Sequence, residues 1–421
     1  MEALTRGLVV VGQSGCGKSF LVGRLVEELV RKTTEKTRLL IIDPNSDFCE
    51  GLTLQTEEEF NKDRLDKYNS GTLKNGEFAT FKERELQYFH EIKSTNQWPV
   101  AHLFGRREAF NLSWKWLVDE DNNFLQIVKG GYFAPSYPWA LLCVRDYVKP
   151  QSSPQEWIEG GTKLVNDLLR AISQPQFPFV SSRIGLARSL GTECFLELLN
   201  DIRQEIKAHL WQEKAEDTGL PQRLFAESRV SFIETETIKE KKSRLETVAF
   251  ILLNCWEEHK KLIEEYRDSQ KNGDQQLITR AKENLKHVFI LVDEAQNYAP
   301  EETNDPHEKM LGELIHAIAA EGRKYGLHVI LATQRPNKIK QGLLGECDNA
   351  IIMKMNSRSD LEHLAREMRI LDVKLLEPCL HFQGQGNALA VGEMTRMAPY
   401  VQLFKSAPRR TREGGVDIPG F

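Results

Sequence analysis

The chain has 421 residues, 40% of them hydrophobic and 28% charged, with a formal net charge of −5. That balance describes an ordinary soluble globular protein of two or three domains, and it points away from a generally basic, nucleic-acid-coating surface without excluding a few basic residues lining a pore. The longest apolar stretch, Thr247 to Trp256, falls short of the ~20 residues a membrane span needs, and seven scattered cysteines without a C-x-x-C pair indicate neither a disulfide framework nor a zinc site.

The first element in chain order is the run Leu8-Val9-Val10-Val11, short and β-branched, which reads as a buried parallel strand. Gly12 to Ser19 follow as Gly-Gln-Ser-Gly-Cys-Gly-Lys-Ser, a complete G-x-x-x-x-G-K-S loop. From Phe20 to Lys32, Leu21, Val22, Leu25, Val26, Leu29 and Val30 recur at helical spacing. Strand, glycine-rich turn and helix is the setting in which backbone N–H groups and a helix N-terminus close round phosphate oxygens. Gly12, Gln13, Ser14, Gly15, Cys16, Gly17, Lys18, Ser19 and Phe20 are therefore the predicted cradle for ATP. Lys18 would reach the β- and γ-phosphates and Ser19 would hold Mg²⁺. Because this loop begins by Gly12, no signal peptide is expected, and the expected location is cytoplasmic.

A second strand, Arg38 to Ile42, ends at Asp43-Pro44-Asn45. Residues 51–228 carry most of the tryptophans and several prolines, and read as a mostly helical insertion with breaks near 149–154, 173–182 and 217–222. After it come a strand at Val230 to Glu234, an apolar helix from Leu245 to Lys260 and a polar break from Asp268 to Gln276. Strands follow at His287 to Val292, Leu327 to Thr333 and Ala350 to Met355. The tail from Ser406 to Phe421, rich in Arg, Gly and Pro, is expected to hang off the domain or clasp a neighbour. The expected organisation is an α/β core in two parts, 1–50 and 229–405, interrupted by 51–228 and followed by 406–421. Its central, mostly parallel sheet would be flanked by helices.

The strand Val288-Phe289-Ile290-Leu291-Val292 ends in Asp293-Glu294, a Walker B pattern that delivers two carboxylates to the carboxyl edge of the sheet. Asp293 would join the Mg²⁺ shell and Glu294 would polarise the attacking water. Gln334, at the tip of the strand from Leu327, could touch both the γ-phosphate and that water. Arg323, in Gly322-Arg323-Lys324-Tyr325-Gly326, could serve as an arginine finger, although on spacing alone a surface arginine is the plainer reading.

Gly-Gln-Ser-Gly-Cys-Gly-Lys-Ser, Ile-Ile-Asp-Pro-Asn, Val-Asp-Glu-Ala-Gln-Asn-Tyr-Ala-Pro, Gly-Arg-Lys-Tyr-Gly-Leu and Ala-Thr-Gln-Arg-Pro together resemble the HerA/FtsK superfamily of P-loop ATPases, HerA most of all. The resemblance covers Leu4 to Cys49 and Arg229 to Lys405, and the ending Gln385 to Glu393 is similar to the family's last hairpin. It implies a RecA-like core, a homo-hexameric ring, double-stranded DNA as the polymer moved, and Arg323 as a finger acting on the adjacent subunit. It gives Asp43 no defined role. Basic pore candidates are Lys338, Lys340, Lys241, Lys242 and Arg244, although a solvated helix face or loop is the plainer reading of each. The chain is expected to depart from cellular HerA in leaving no room for an N-terminal β-barrel and in carrying the 51–228 insertion. An alternative function is therefore an ATP-gated platform that regulates a partner effector such as a nuclease, without processive DNA movement.

Overall fold

Aliphatic runs too short for a helix become strands buried on both faces. Leu8–Val11 (β1), Thr37–Asp43 (β2), Val230–Glu234 (β5) and Leu327–Thr333 (β7) are buried at every position. The computed structural model describes residues 2–33, 36–45, 47–48, 86–91, 106–110, 170, 229–236, 241–369, 372–395, 401–407, 409 and 411. The other strands are Leu86–Glu91 (β3), Arg106–Phe110 (β4), His287–Val292 (β6), Asn349–Ile352 (β8), Asn387–Gly392 (β9) and Gln402–Lys405 (β10). They form one 10-stranded sheet in the order β10-β9-β8-β1-β7-β6-β2-β5-β3-β4. Every pairing from β8 through β4 is parallel, and β9 and β10 close the other edge as an antiparallel pair.

Alternation along the strands divides the core between the two faces. Leu8 and Val10 of β1 and Leu39 and Ile41 of β2 turn toward Lys18–Lys32 (α1). Val9, Val11, Leu40 and Ile42 turn the other way, to Lys241–Asn272 (α2), Pro306–Glu321 (α4) and Arg358–Met368 (α5). Between them lies Gln275–Asn284 (α3), and Val373–Leu376 (α6) and Pro378–His381 (α7) lead into β9. A mostly parallel sheet with helices on both faces is the RecA-like arrangement the sequence predicts.

Three boundaries differ from expectation. The helix expected at Leu245 to Lys260 runs from Lys241 to Asn272, because its polar flanks continue the helix until Gly273, whose φ is +70°. Asp274 then caps α3, its side chain accepting from the backbone N–H groups of Gln276 and Leu277. The last parallel strand ends at Ile352 rather than Met355, and Met353 is instead packed under the phosphate loop. Within 51–228, β3 and β4 extend the sheet beyond β5. The remainder of that stretch, with its predicted helices, breaks and tryptophans, lies outside the described residues.

The tail does not simply hang free. Arg409 and Thr411 are buried on α1, where the Thr411 backbone N–H and Oγ1 donate to Glu27 Oε1 at 2.9 and 2.6 Å. The reason is charge: Glu27 is fully buried on the phosphate-loop helix, and Arg24 (2.8 Å) and Thr411 together satisfy it.

Candidate active site

In a parallel sheet all strands deliver their carboxyl ends to one edge, and four of them here lead into candidate site residues. β1 runs into Gly12, β2 ends at Asp43, β6 leads to Asp293 and β7 to Gln334. Val11 lies level with Thr333, and Val292 with both Ile42 and Leu331, so these tips are neighbours.

The phosphate loop is fixed at its base and open at its tip. Gly12 N–H donates to the Thr333 carbonyl (3.2 Å), Gln13 N–H to the Lys354 carbonyl (3.0 Å), and Gly386 N–H to the Cys16 carbonyl (3.0 Å). Ser14 and Gly15 are exposed. Gly17 takes φ +91°, a left-handed turn that starts α1 directly at Lys18. The Cys16 thiol, pushed up by burial, packs 3.9 Å from Met353 Sδ and is a filler rather than a nucleophile. Phe20 is buried with its ring 5.7 Å from the Arg409 guanidinium, so its side chain serves the tail contact.

Lys18 is buried, and its Nζ lies 2.7 Å from Asp293 Oδ1 and 2.9 Å from Glu294 Oε1. Burial alone would lower the Lys18 ammonium, but the two carboxylates outweigh it and hold it above the usual lysine range. Burial also acts to raise the Glu294 carboxyl; Lys18 and the Gln296 and Gln334 amides overcome that and hold it below the usual range. Asp293 is pushed up by burial, with Lys18 opposing, and its Oδ2 is buried without a hydrogen-bond partner. Glu294 itself sits in a left-handed backbone conformation, φ +45°, one of two such non-glycine residues described.

Gln334 donates from Nε2 to Glu294 Oε1 at 2.7 Å. Residues that sequence reasoning did not single out complete the arrangement. Ser19 Oγ lies 3.4 Å from Asp47 Oδ2, and Asp47 is raised by burial and by nearby Asp293. Asp43 explains how Asp47 arrives there: its Oδ2 accepts the Phe48 N–H at 2.8 Å, folding the loop after β2 back toward α1. Gln296 donates to Glu294 Oε2 at 2.7 Å. The signals were present, as an acid four residues beyond Asp43 and an amide two beyond Glu294, but neither spacing is diagnostic without the loop geometry.

Ser19, Asp47 and Asp293, one of them with an orphaned buried oxygen, form a hard-oxygen donor set of the kind magnesium takes when substrate phosphates supply the rest. Beside them a cleft of about 710 Å³, lined by Asn45, Glu294, Gln296, Gln334, Arg335 and Lys338 among others, opens at the strand tips. The site thus sets a buried ammonium, Lys18, and a held carboxylate, Glu294, beside an open polar cleft.

Arg323 is not part of this group. It is exposed on the turn before β7, at the amino edge of the sheet, and β7's 7 residues at ~3.3 Å each separate it from Gln334 by about 23 Å. Of the basic pore candidates, Lys338 lines the cleft, Lys241 pairs with Glu308 (2.7 Å), Lys340 lies 4.0 Å from Glu313, and Arg244 lines a second cavity beside Gln296. The Lys242 side chain lies outside the described residues.

Fold and site together define a P-loop nucleoside triphosphatase. The family described as the central domain of helicase HerA matches residues 1–128, and the ATPase family associated with various cellular activities (AAA) matches residues 226–355. The chain is 24% identical over 127 residues to the DNA double-strand break repair helicase HerA of Pyrococcus furiosus, covering 30% of this chain and 22% of that protein. It is 31% identical over 137 residues to the protein of the same name from Sulfurisphaera tokodaii, covering 31% of this chain and 27% of that one. It therefore spans about a quarter of the length of these curated relatives. The solved structure of VirB4 from Thermoanaerobacter pseudethanolicus aligns with a TM-score of 0.48 at 13% identity, over 96% of this chain and 89% of that one. In both segments the chain is similar to P-loop ATPases of the HerA type. Among the described residues no helix is long and apolar enough to cross a membrane.

Proposed function

We propose that this chain is the subunit of a homo-hexameric ring motor that couples ATP hydrolysis to movement of double-stranded DNA. One observation carries the reading: Arg323 is exposed, has no ion-pair partner among the described residues, and lies a full strand length from Glu294. A guanidinium so placed is out of reach of its own chain's phosphates but available to a neighbour's. In this reading Lys18 meets the β- and γ-phosphates, while Ser19 and Asp293 hold Mg²⁺, which offsets phosphate charge. Glu294 orients and polarises the attacking water, Gln334 sits where it can sense the γ-phosphate, and Arg323 of one subunit stabilises developing charge in the next. That the relatives are named as helicases of DNA double-strand break repair supports DNA as the polymer.

Subunit mixing tests the shared site. Lys18→Ala and Arg323→Ala chains, each inactive alone, are expected to recover part of the hydrolysis when co-assembled, because mixed rings contain junctions with both residues intact. Intact mixed rings with no recovery would remove the shared site. Steady-state hydrolysis with and without long double-stranded DNA at low salt then tests the polymer. Pairing of Lys241 with Glu308 and the approach of Lys340 to Glu313 reduce the free positive charge near the site and favour the second reading, an ATP-gated platform for an effector such as a nuclease. Hydrolysis indifferent to DNA would select it.

A further inference from the structure

Both oxygens of the Glu294 carboxylate are held. Oε1 accepts from Gln334 Nε2 at 2.7 Å and faces Lys18 Nζ at 2.9 Å, while Oε2 accepts from Gln296 Nε2 at 2.7 Å. A carboxylate only accepts, so the Gln296 amide must turn its nitrogen to Glu294 and its oxygen away. That oxygen accepts from Thr333 Oγ1 at 2.7 Å, and Thr333 Oγ1 in turn accepts the Arg335 backbone N–H at 3.0 Å. Because Gln334 lies between Thr333 and Arg335, the bonds close a ring from Glu294 through Gln296 and Thr333 to Gln334 and back. β6 and β7 are adjacent parallel strands, and this ring staples their tips together.

The ring encloses the one residue of the site with a left-handed non-glycine backbone, Glu294 at φ +45°. Such a conformation persists where its surroundings over-determine it. The Glu294 carbonyl accepts the Asn297 N–H at 2.8 Å, which fixes the turn, but the turn alone leaves the side chain free to rotate. The side-chain ring removes that freedom. We propose that Gln296 is a positioning residue for hydrolysis, tying the Glu294 carboxylate to Thr333 and so fixing it relative to Gln334. The proposal rests on the reading of Glu294 as the carboxylate that orients the attacking water. Gln296 acts through Glu294, so its loss changes the rate of hydrolysis and leaves nucleotide affinity in place.

The test uses the full chain, with single-turnover ATP hydrolysis in Mg²⁺ and the Kd of a fluorescent ATP analogue measured on the same preparations. Gln296→Met keeps the side-chain length and removes both hydrogen bonds. It is expected to slow hydrolysis about tenfold or more, the scale of a lost hydrogen bond to a charged group, with Kd unchanged within about twofold. Thr333→Val is expected to slow hydrolysis several-fold, Thr333→Ser to restore it, and Gln296→Met with Thr333→Val to be no slower than Gln296→Met alone. A Gln296→Met rate within about twofold of the parent overturns the proposal, as does a loss carried in Kd or an additive double variant. If Gln296→Met does not fold, the Thr333→Val and Thr333→Ser pair decides by the same readouts. Glu294→Gln separates the two levels: wild-type hydrolysis there sinks the reading of Glu294, whereas an inactive Glu294→Gln beside a normal Gln296→Met sinks only the role of Gln296.

Discussion

A methyl group added at Gly23 would lie 2.4 Å from Arg409 Cζ, 2.6 Å from its Nη1 and 2.7 Å from its Nε. Gly23 lies mid-helix in α1, where glycine to alanine ordinarily stabilises by about 1 kcal/mol. Here the methyl group must displace a guanidinium that is 1% exposed. Arg409 would lose its bonds to Thr411 Oγ1 (3.2 and 3.0 Å), about 1 kcal/mol each, and Thr411 would loosen from the buried carboxylate of Glu27, about 1.5–3 kcal/mol more. Against the helix gain, Gly23→Ala is therefore expected to destabilise by about 2–4 kcal/mol. In an Arg409→Ala background the methyl group meets no guanidinium, and the same substitution is expected to stabilise by about 0.5–1 kcal/mol. The sign reverses between the two backgrounds. Urea denaturation of the four proteins, with hydrogen exchange at the α1 amides, measures the cycle. Equal effects of Gly23→Ala in both backgrounds would refute the docking of Arg409 on α1.

His328 is buried and pushed down to about 4, first by burial and then by neighbouring His287, with its Nδ1 3.0 Å from the Thr5 carbonyl. Its folded pKa lies below the unfolded 6.5, so the unfolded chain takes the proton first. Stability from this residue is complete above pH 6.5 and falls by about 3 kcal/mol as pH drops toward 4. His328→Gln is expected to flatten that limb in pH-dependent denaturation, and an unchanged slope would reassign it, His259 being the other histidine held low by burial. Asp47→Asn is expected to raise the Mg²⁺ concentration for half-maximal hydrolysis several-fold while leaving metal-free nucleotide binding unchanged or tighter; an unchanged Mg²⁺ titration would remove Asp47 from the metal's surroundings. Lys18→Met leaves the Asp293 and Glu294 carboxylates facing one another without their buried ammonium. It is expected to cost about 3 kcal/mol in urea denaturation besides abolishing ATP binding, and stability equal to wild type would contradict the buried pairing.

The strands and the motif residues were legible because each is specified locally. A run such as Leu8 to Val11 has few options besides a buried strand, and Gly17 with Lys18 and Ser19 has few besides a phosphate loop before a helix. That Lys18, Ser19, Asp293, Glu294 and Gln334 meet at one edge follows from parallel strands alone. Asp47 and Gln296 were not legible, since their positions depend on a loop folded by Asp43 and on an amide caught between two strand tips. Long-range pairing defeated the reading of the tail for the same reason. Nothing near Arg409 in the chain announces Glu27, which lies 384 residues before its partner Thr411. β3 and β4 were missed because neither run alternates or clusters its apolar residues enough to stand out from its surroundings.

The sheet also sorts charge by direction. Its carboxyl edge gathers Asp47, Asp293 and Glu294 around a single ammonium, Lys18. Its amino edge carries Arg323 beside His287 and His328, and His328 is held neutral at physiological pH. A carboxylate-rich site takes a polyphosphate only when cations arrive with it or are lent to it; Arg335 and Lys338 line the cleft beside Glu294, and in the proposed reading a metal ion and a second copy's Arg323 add to them. Because the acids and Arg323, which has no ion-pair partner among the described residues, occupy opposite edges of one sheet, a single chain does not bring them together. Two copies can, by stacking the amino edge of one against the carboxyl edge of the next. Such a contact joins unlike surfaces, so it repeats until the rotation between copies closes a ring or fails to close and runs on as a filament. The same geometry that separates Arg323 from Glu294 within the chain therefore argues for hydrolysis that depends on assembly.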